Sequence, residues 1–577
     1  MPSLREAAYR LRRVVFPVEL PLWYSPSYRL PITGVGSHVE PRRADYVAWW
    51  LLDWGAVRPD GVRTPERIDW RALERVHTPE LLESLAQAET LGRIFGADPS
   101  DIPVDEVLTT VRLACGATLA AARQTLRSRE PHLNLLGGFH HAAPGTAGGF
   151  CPVNDVAVAV AALRDEGFRG KVVVLDLDAH PPDGLCACFA GDASVFVGSL
   201  SGSDWGPLPG VDETLLPQGC PDGPYLAALD ALLARMPEPE LCFVIAGSDV
   251  LRGDRFGLLG LTLDGVRRRD RRVAAALAGL PSVWLPGGGY TDDAWKALAG
   301  TGMVLARGSL TPVPPHYDPM IARYSAIARQ LTPELLGESE LSASDLEEAL
   351  GLGGRESPRL LLGFYTAHGL EHALHSYGIL EQLQRIGYTG LRVVVDHAGL
   401  GDRARILGTA GGEEHLLVEM VLERRLLSGR EVLFTHWLSL RNPRAHFSDR
   451  RPRLPGQDVP GLGLAREFGE ILSRIAKRLG LAGVAFRPAH FHTAYSARHN
   501  MSFADPARQG RFEALIRDTA HLSLLQATLA VDEGRVRLDG APYAWEADDQ
   551  VYWLRGPPPE PGAIAAAREA AHFTVDG

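Results

Sequence analysis

At 577 residues the chain is too long for one hydrophobic core, and with 45% hydrophobic and 22% charged residues it has the composition of a soluble globular protein of about two to four domains. A net charge of −11 argues against nucleic acid as the main partner, and no apolar run reaches the roughly 18 residues that a membrane span needs. The first residues, MPSLREAAYRLRRVVF, lack a signal-peptide core, and six cysteines in this length make no disulfide framework, so a cytoplasmic protein that does not engage membranes is expected. Only Lys171, Lys296 and Lys477 are lysines among 59 basic residues, a skew that reads as the codon bias of a GC-rich genome.

Residues 1–310 alternate short apolar strand candidates with helical stretches. KVVVLDLDAH (171–180), ASVFVGSL (193–200), LCFVIAGSDV (241–250) and SVWLPGGGY (282–290) read as strands, with helices over 154–167 and 222–236. Fully apolar strands alternating with helices indicate an α/β domain with a parallel sheet covered on both faces. Chemistry then collects at the carboxyl ends of the strands. The basic run Arg267–Arg272, broken by Asp270, is expected to be a solvated helix face. Cys186 and Cys188 are too close for usual zinc spacing and are expected to be buried thiols. Residues 311–359 read as a proline-bearing linker with a short capped helix over 338–358. Residues 360–577 read as an α+β accessory domain with a mainly antiparallel sheet: a helix over 360–388, strands over 391–398, 414–427 and 430–440, and a helix over 461–481. No internal repeat is evident.

The first domain carries the residues that suggest chemistry. Asp178 and His180 alternate at the end of an apolar strand and so face one side of the sheet, and Asp249 closes a second strand. Asp, His and Asp with one open position suit a catalytic metal, although strand-end carboxylates also serve as ordinary helix caps. His140 and His141 stand in tandem after a Gly-Gly turn, where at least one ring must find polar partners. Asp176 and Asp183 flank the ligand pair, each placed to fix an imidazole tautomer. Tyr290 follows three glycines, which let the backbone turn sharply toward a cleft.

GGFHHA (137–142), GFCPVNDVAVA (149–159), DLDAHPPDG (176–184), AGSDVLRGDRFGLLGLT (246–262) and PGGGY (286–290), in this order and spacing, resemble the zinc-dependent histone deacetylase family, which includes acetylpolyamine amidohydrolases and bacterial enzymes. The resemblance covers roughly residues 20–305 and implies an arginase/deacetylase-like parallel sheet flanked by helices. It implies Asp178, His180 and Asp249 as Zn2+ ligands, His141 as general base and acid with His140 as its electrostatic partner, and Tyr290 as donor to the substrate carbonyl. Asp176 would orient His140, and Asp183 would orient His141. Asp176, Asp178, His180, Ser199 and Leu200 would surround a monovalent cation such as K+. Phe150 would wall the acyl-lysine tunnel, with Trp205 as a further wall, and Gly149 would offer its carbonyl to the substrate. Arg43 matches an arginine beneath the site. Pro181-Pro182 stands where the family commonly carries Gly before the second orienting Asp. If that glycine uses positive φ, the loop must be rebuilt, and the Asp183–His141 pairing depends on the outcome.

In the second domain, HGLEH (368–372) matches H-x-x-E-H, a pattern that arises readily by chance and here has no evident third ligand. PGLGLAREF (460–468) between a strand and a helix loosely resembles an acyl-CoA-dependent N-acetyltransferase, in which helix-start amides cradle a pyrophosphate. Asp458 stands where that family carries Gln or Arg and would repel phosphate, so an ordinary helix start is the stronger reading over acyl-CoA binding. The leading expectation is a zinc-dependent deacylase acting on N-acylated lysine. An acetylpolyamine amidohydrolase, an arginase-like ureohydrolase and an acyl-lysine-binding module without turnover are the alternatives.

Overall fold

The computed structural model describes residues 4–30, 40–314, 317–337, 360–448, 451–556 and 560–576. The expected linker helix over 338–358 lies outside the described residues. The chain divides into two compact units, Met1–Met320 and Ile321–Gly577.

The first unit is built on an eight-stranded sheet: β1 Leu22–Trp23, β2 Val62–Arg63, β3 Pro131–Asn134, β4 Val172–Asp176, β5 Val195–Ser201, β6 Val211–Leu215, β7 Leu241–Ile245 and β8 Ser282–Leu285. The order is β2-β1-β3-β8-β7-β4-β5-β6, and every pairing is parallel. Strands β3, β4, β7 and β8 are buried along their whole length. Burial on both faces explains why β4, β7 and β8 read as apolar runs without alternation, whereas the equally buried β3 carries His132 and Asn134. Five neighbouring strands, β3-β8-β7-β4-β5, end side by side, and their carboxyl ends carry the loops with His140 and His141, Tyr290, Asp249, Asp176–His180, and the segment that leads to Trp205. Among the described residues no helix is long and apolar enough to cross a membrane.

The basic run departs from its expected solvated face. Arg267, Arg269 and Arg271 are all buried in the helix Leu263–Ala276. Arg269 is fully buried: Nη1 donates to the carbonyls of Leu177 and Gly247 at 3.2 and 2.7 Å, and Nε donates to Asp270 at 2.8 Å. Satisfying two backbone carbonyls and a carboxylate offsets the desolvation of the guanidinium. Cys186 and Cys188 are half-buried rather than buried.

The second unit contains a seven-stranded, mainly antiparallel sheet. β9 Thr389–His397, β10 Asp402–Ala410, β11 Glu413–Leu427 and β12 Arg430–Leu440 form an antiparallel meander, and β13 Gly483–Phe486 pairs parallel with β12. Gln550–Trp553 and Ser502–Phe503 extend the sheet antiparallel beyond β13. The expected helix over 360–388 is two helices, Ala367–Ser376 and Ile379–Arg385, broken at Gly378, whose φ of 77° no helix interior accommodates. His368 and His372 face solvent, and among the described residues neither joins a cluster able to hold a metal. The helix after β12 starts at Ala465, with Gly463 in left-handed conformation just before it and Asp458 exposed upstream.

Candidate active site

Asp178, His180 and Asp249 converge so that one ligand atom from each lies within 4.8 Å of the others. His180 Nδ1 is 3.0 Å from both Asp178 Oδ1 and Asp249 Oδ2. Its Nε2 is 3.2 Å from the Phe256 carbonyl, which can only accept, so that ring nitrogen carries a proton. The remaining carboxylate valences are held by backbone: Gly288 N–H donates to Asp178 Oδ2 at 2.7 Å, and Ala179 N–H donates to Asp249 Oδ1 at 3.0 Å. Both aspartates are buried. Burial and the neighbouring Asp178 charge push the Asp249 carboxyl up to about 8. Burial works against His180 carrying a second proton, yet hydrogen bonds and charge from the two carboxylates raise it to about 11. Two buried carboxylates and an imidazole facing one another call for a cation between them, and this donor set suits a divalent metal with an open position.

Beside this cluster the two imidazoles lie against each other with centroids 3.9 Å apart and planes tilted by 41°. His140 Nδ1 is 2.9 Å from Asp176 Oδ2, and His141 Nδ1 is 2.7 Å from Asp183 Oδ1. The prolines therefore leave the second pairing in place. Pro182 has φ −83°, within the range its ring allows, and Asp183 opens a short helix, Asp183–Cys188. The two histidines differ electrostatically. Burial disfavours a charge on His140, but Asp176 and Asp178 outweigh it and raise the group to about 9. His141 is lowered, by burial and then by the charge of His140. Near neutral pH the pair thus combines a cationic His140 with a neutral His141, whose Nδ1–H points at Asp183 and whose Nε2 keeps its lone pair.

Glycines make the close approaches possible. A Cβ on Gly288 would lie 2.6 Å from Asp249 Oδ2 and 2.9 Å from Asp178 Oδ2, and Gly287 has φ 55°. The PGGGY loop therefore passes directly over the two aspartates and delivers Tyr290 beside them. Its ring packs on Phe150 and Phe256, at centroid distances of 5.1 and 4.8 Å. Trp205 packs at a tilt near His141 and His180, at 5.2 and 6.0 Å, and is 52% exposed. Phe150, Phe256 and Trp205 together form an aromatic rim around the cluster. Ser199 and Leu200 on β5 are buried, with Ser199 in register with Asp176. Arg43 Nη2 donates to the Gly287 carbonyl at 2.9 Å, bracing the loop from the side.

A family model described as "Histone deacetylase domain" matches residues 38–303, a span that contains every residue of this site. An uncharacterized protein of Picosynechococcus sp. is 33% identical over 285 residues, which cover 47% of this chain and 93% of that one. The chain belongs to the histone deacetylase family. Histone deacetylase 2 of Arabidopsis thaliana is 28% identical, over 51% of this chain and 80% of its own. A solved structure of an HDAC homolog from Aquifex aeolicus is 22% identical with a TM-score of 0.43, covering 51% of this chain and 86% of that one.

Several residues that shape the site of this deacetylase-family chain escape a motif reading. Asp155 is fully buried and accepts from the N–H groups of Gly138 and Phe139 and from the Thr118 hydroxyl, so it fixes the turn that leads into His140. Asn154 donates to the Ala142 carbonyl, while His77 accepts from Asn154 N–H and contacts the Ala143 carbonyl, fixing the exit from His141. Asn154 and Asp155 lie inside a quoted motif and His77 lies outside all of them, but their role appears only when the loop is seen to need external hydrogen-bond partners. Gly184 is the sharpest omission. A Cβ there would lie 2.4 Å from the His140 oxygen and the His141 carbonyl carbon. Gly184→Ala is expected to cut kcat by about 10- to 100-fold, since an ångström of displacement at reacting groups costs that much. The protein should remain folded by circular dichroism, because the clash is confined to the histidine loop. Unchanged kcat would mean that the loop yields freely.

Proposed function

We propose that this chain hydrolyses N-acylated lysine side chains with Zn2+ held by Asp178, His180 and Asp249. The observation that carries this reading is the convergence at the carboxyl ends of the central strands of that three-ligand set, a charge-differentiated histidine pair and a tyrosine. When bound there, the metal would acidify a water molecule and polarise the acyl carbonyl. His141, neutral and oriented by Asp183, takes the water proton at Nε2. Cationic His140 favours negative charge developing nearby. Tyr290 keeps its phenolic proton, because burial and the carboxylates of Asp178 and Asp249 push its pKa well up. It therefore donates to the carbonyl oxygen as that atom gains negative charge. His141 then returns its proton to the departing amine, so the products are a carboxylate and a free amine.

The aromatic rim of Phe150, Phe256 and Trp205 favours an unbranched alkyl stem, which acyl-lysine and acylated polyamines share. The buried Ser199 hydroxyl has no protein partner, which supports a K+ beside Asp176, Asp178, His180 and Leu200 as a structural ion. A panel of acetyl- and longer acyl-lysine peptides beside N-acetylated polyamines, read by released amine, tests the reading. Turnover of the peptides with kcat/KM at least about tenfold above the polyamines is expected, a preference worth about 1.4 kcal/mol. The reverse order would make the chain a polyamine amidohydrolase, and no release from any substrate would favour a binding module.

A further inference from the structure

Asp254 has none of the roles described so far. It sits in the turn after Asp249, and its carboxylate spans two loops. Oδ1 accepts from Phe256 N–H and Gly257 N–H, both at 3.0 Å, and Oδ2 accepts from Tyr290 N–H at 2.8 Å. The first two bonds are those of an ordinary turn-forming aspartate. The third reaches 36 residues along the chain. It matters because Tyr290 follows Gly287 and Gly289, with φ of 55° and 151°, a stretch whose own conformational preferences aim the tyrosine nowhere in particular. The rings of the two residues tied by this carboxylate meet edge to face, 4.8 Å apart at 88°. The carbonyl of Phe256, in the same turn, is the group that faces His180 Nε2.

We propose that Asp254 is a positioning residue that aims Tyr290. It fixes the Tyr290 backbone directly and its ring through Phe256, so that the hydroxyl stands ready for the developing oxyanion. The proposal rests on the reading of Tyr290 as oxyanion donor. Asp254 touches no reacting atom in this scheme, and its effect passes entirely through the tyrosine. The carboxylate is only partly buried, and its replacement leaves Arg43, the charged group it helps to balance, with Asp178 and Asp249 as remaining counter-charges.

Asp254→Asn separates the two functions. The amide oxygen can still accept from the Phe256–Gly257 turn, while the amide nitrogen then faces Tyr290 N–H, donor against donor. The expected result is a kcat lowered about 10- to 100-fold with KM within a factor of about two, as for loss of an interaction made in the transition state. Bound zinc per chain and the thermal midpoint should match the parent. In a Tyr290→Phe background the same substitution should cost less than about twofold, because residues that act through one group are not additive. An equal loss in both backgrounds, or full kcat in Asp254→Asn alone, would overturn the proposal. Tyr290→Phe with undiminished turnover would instead overturn the oxyanion reading beneath it. Should Asp254→Asn fail to fold, Asp254→Ser, whose hydroxyl still accepts within the turn, provides the same comparison.

Discussion

A His141→Ala variant is expected to lose about 10²- to 10⁴-fold in kcat, the range for removing a general acid–base group. KM and bound metal should change little. Hydrogen bonding and charge favour this ring over its neighbour for the proposed role. His141 pairs through Nδ1 with Asp183, so Nε2 alone is left for proton transfer, and its basicity is lowered by burial and by adjacent His140. His140 pairs with Asp176 and is raised to about 9 despite its burial, which keeps it protonated near neutrality and unsuited to accept a proton. His140→Ala should therefore cost less than His141→Ala at neutral pH and shift the acid limb of kcat/KM upward, because His141 loses the neighbouring charge that holds its pKa down. Equal losses with unmoved limbs would assign both rings the same role and contradict the account.

Asp249→Ala should weaken metal binding by more than about a hundredfold, exceeding the 10- to 100-fold that loss of a partner one layer outside a metal's ligands brings. Activity should fall in step. The cause is local. Asp249 supplies one of three converging ligand atoms, and its other oxygen anchors Ala179 N–H between Asp178 and His180. Removing it therefore also frees the backbone between the two remaining ligands. Dialysed protein should carry well under one equivalent of zinc, measured by elemental analysis. A full complement in the variant would move the metal elsewhere.

Much of this site is legible in the sequence because its parts are local. Asp178 and His180 follow β4 within four residues, and Asp249 and Tyr290 follow β7 and β8 within five, so strand order alone brings them to the carboxyl ends of the sheet, although none lies in a strand and the expected strand alternation does not place them. What escapes is set by contacts between distant segments. Gly184 is required because a helix start meets the histidine loop 43 positions earlier, which no local pattern reveals. Arg269 looks like part of a solvated run until the carbonyls of Leu177 and Gly247 are seen to receive its guanidinium. The prolines at 181 and 182 appear disruptive in sequence, yet the loop needs no positive φ there. In the second unit β10 is missed because its buried positions carry Ala404, Ile406 and Gly408, a weak apolar stripe, while Arg403 and Arg405 are held on the other face by Asp396. Strands with small inward residues and paired charges outward carry little periodic signal.

Amide hydrolysis is proposed to depend on a zinc ion held by Asp178, His180 and Asp249. Stripping the purified full chain with a chelator and following fluorophore release from an acyl-lysine peptide as Zn2+ is returned tests that dependence. Activity should vanish on stripping and return in proportion to added metal, reaching its plateau at about one equivalent per chain, as for a single three-ligand site. Undiminished hydrolysis by the metal-stripped protein would contradict it.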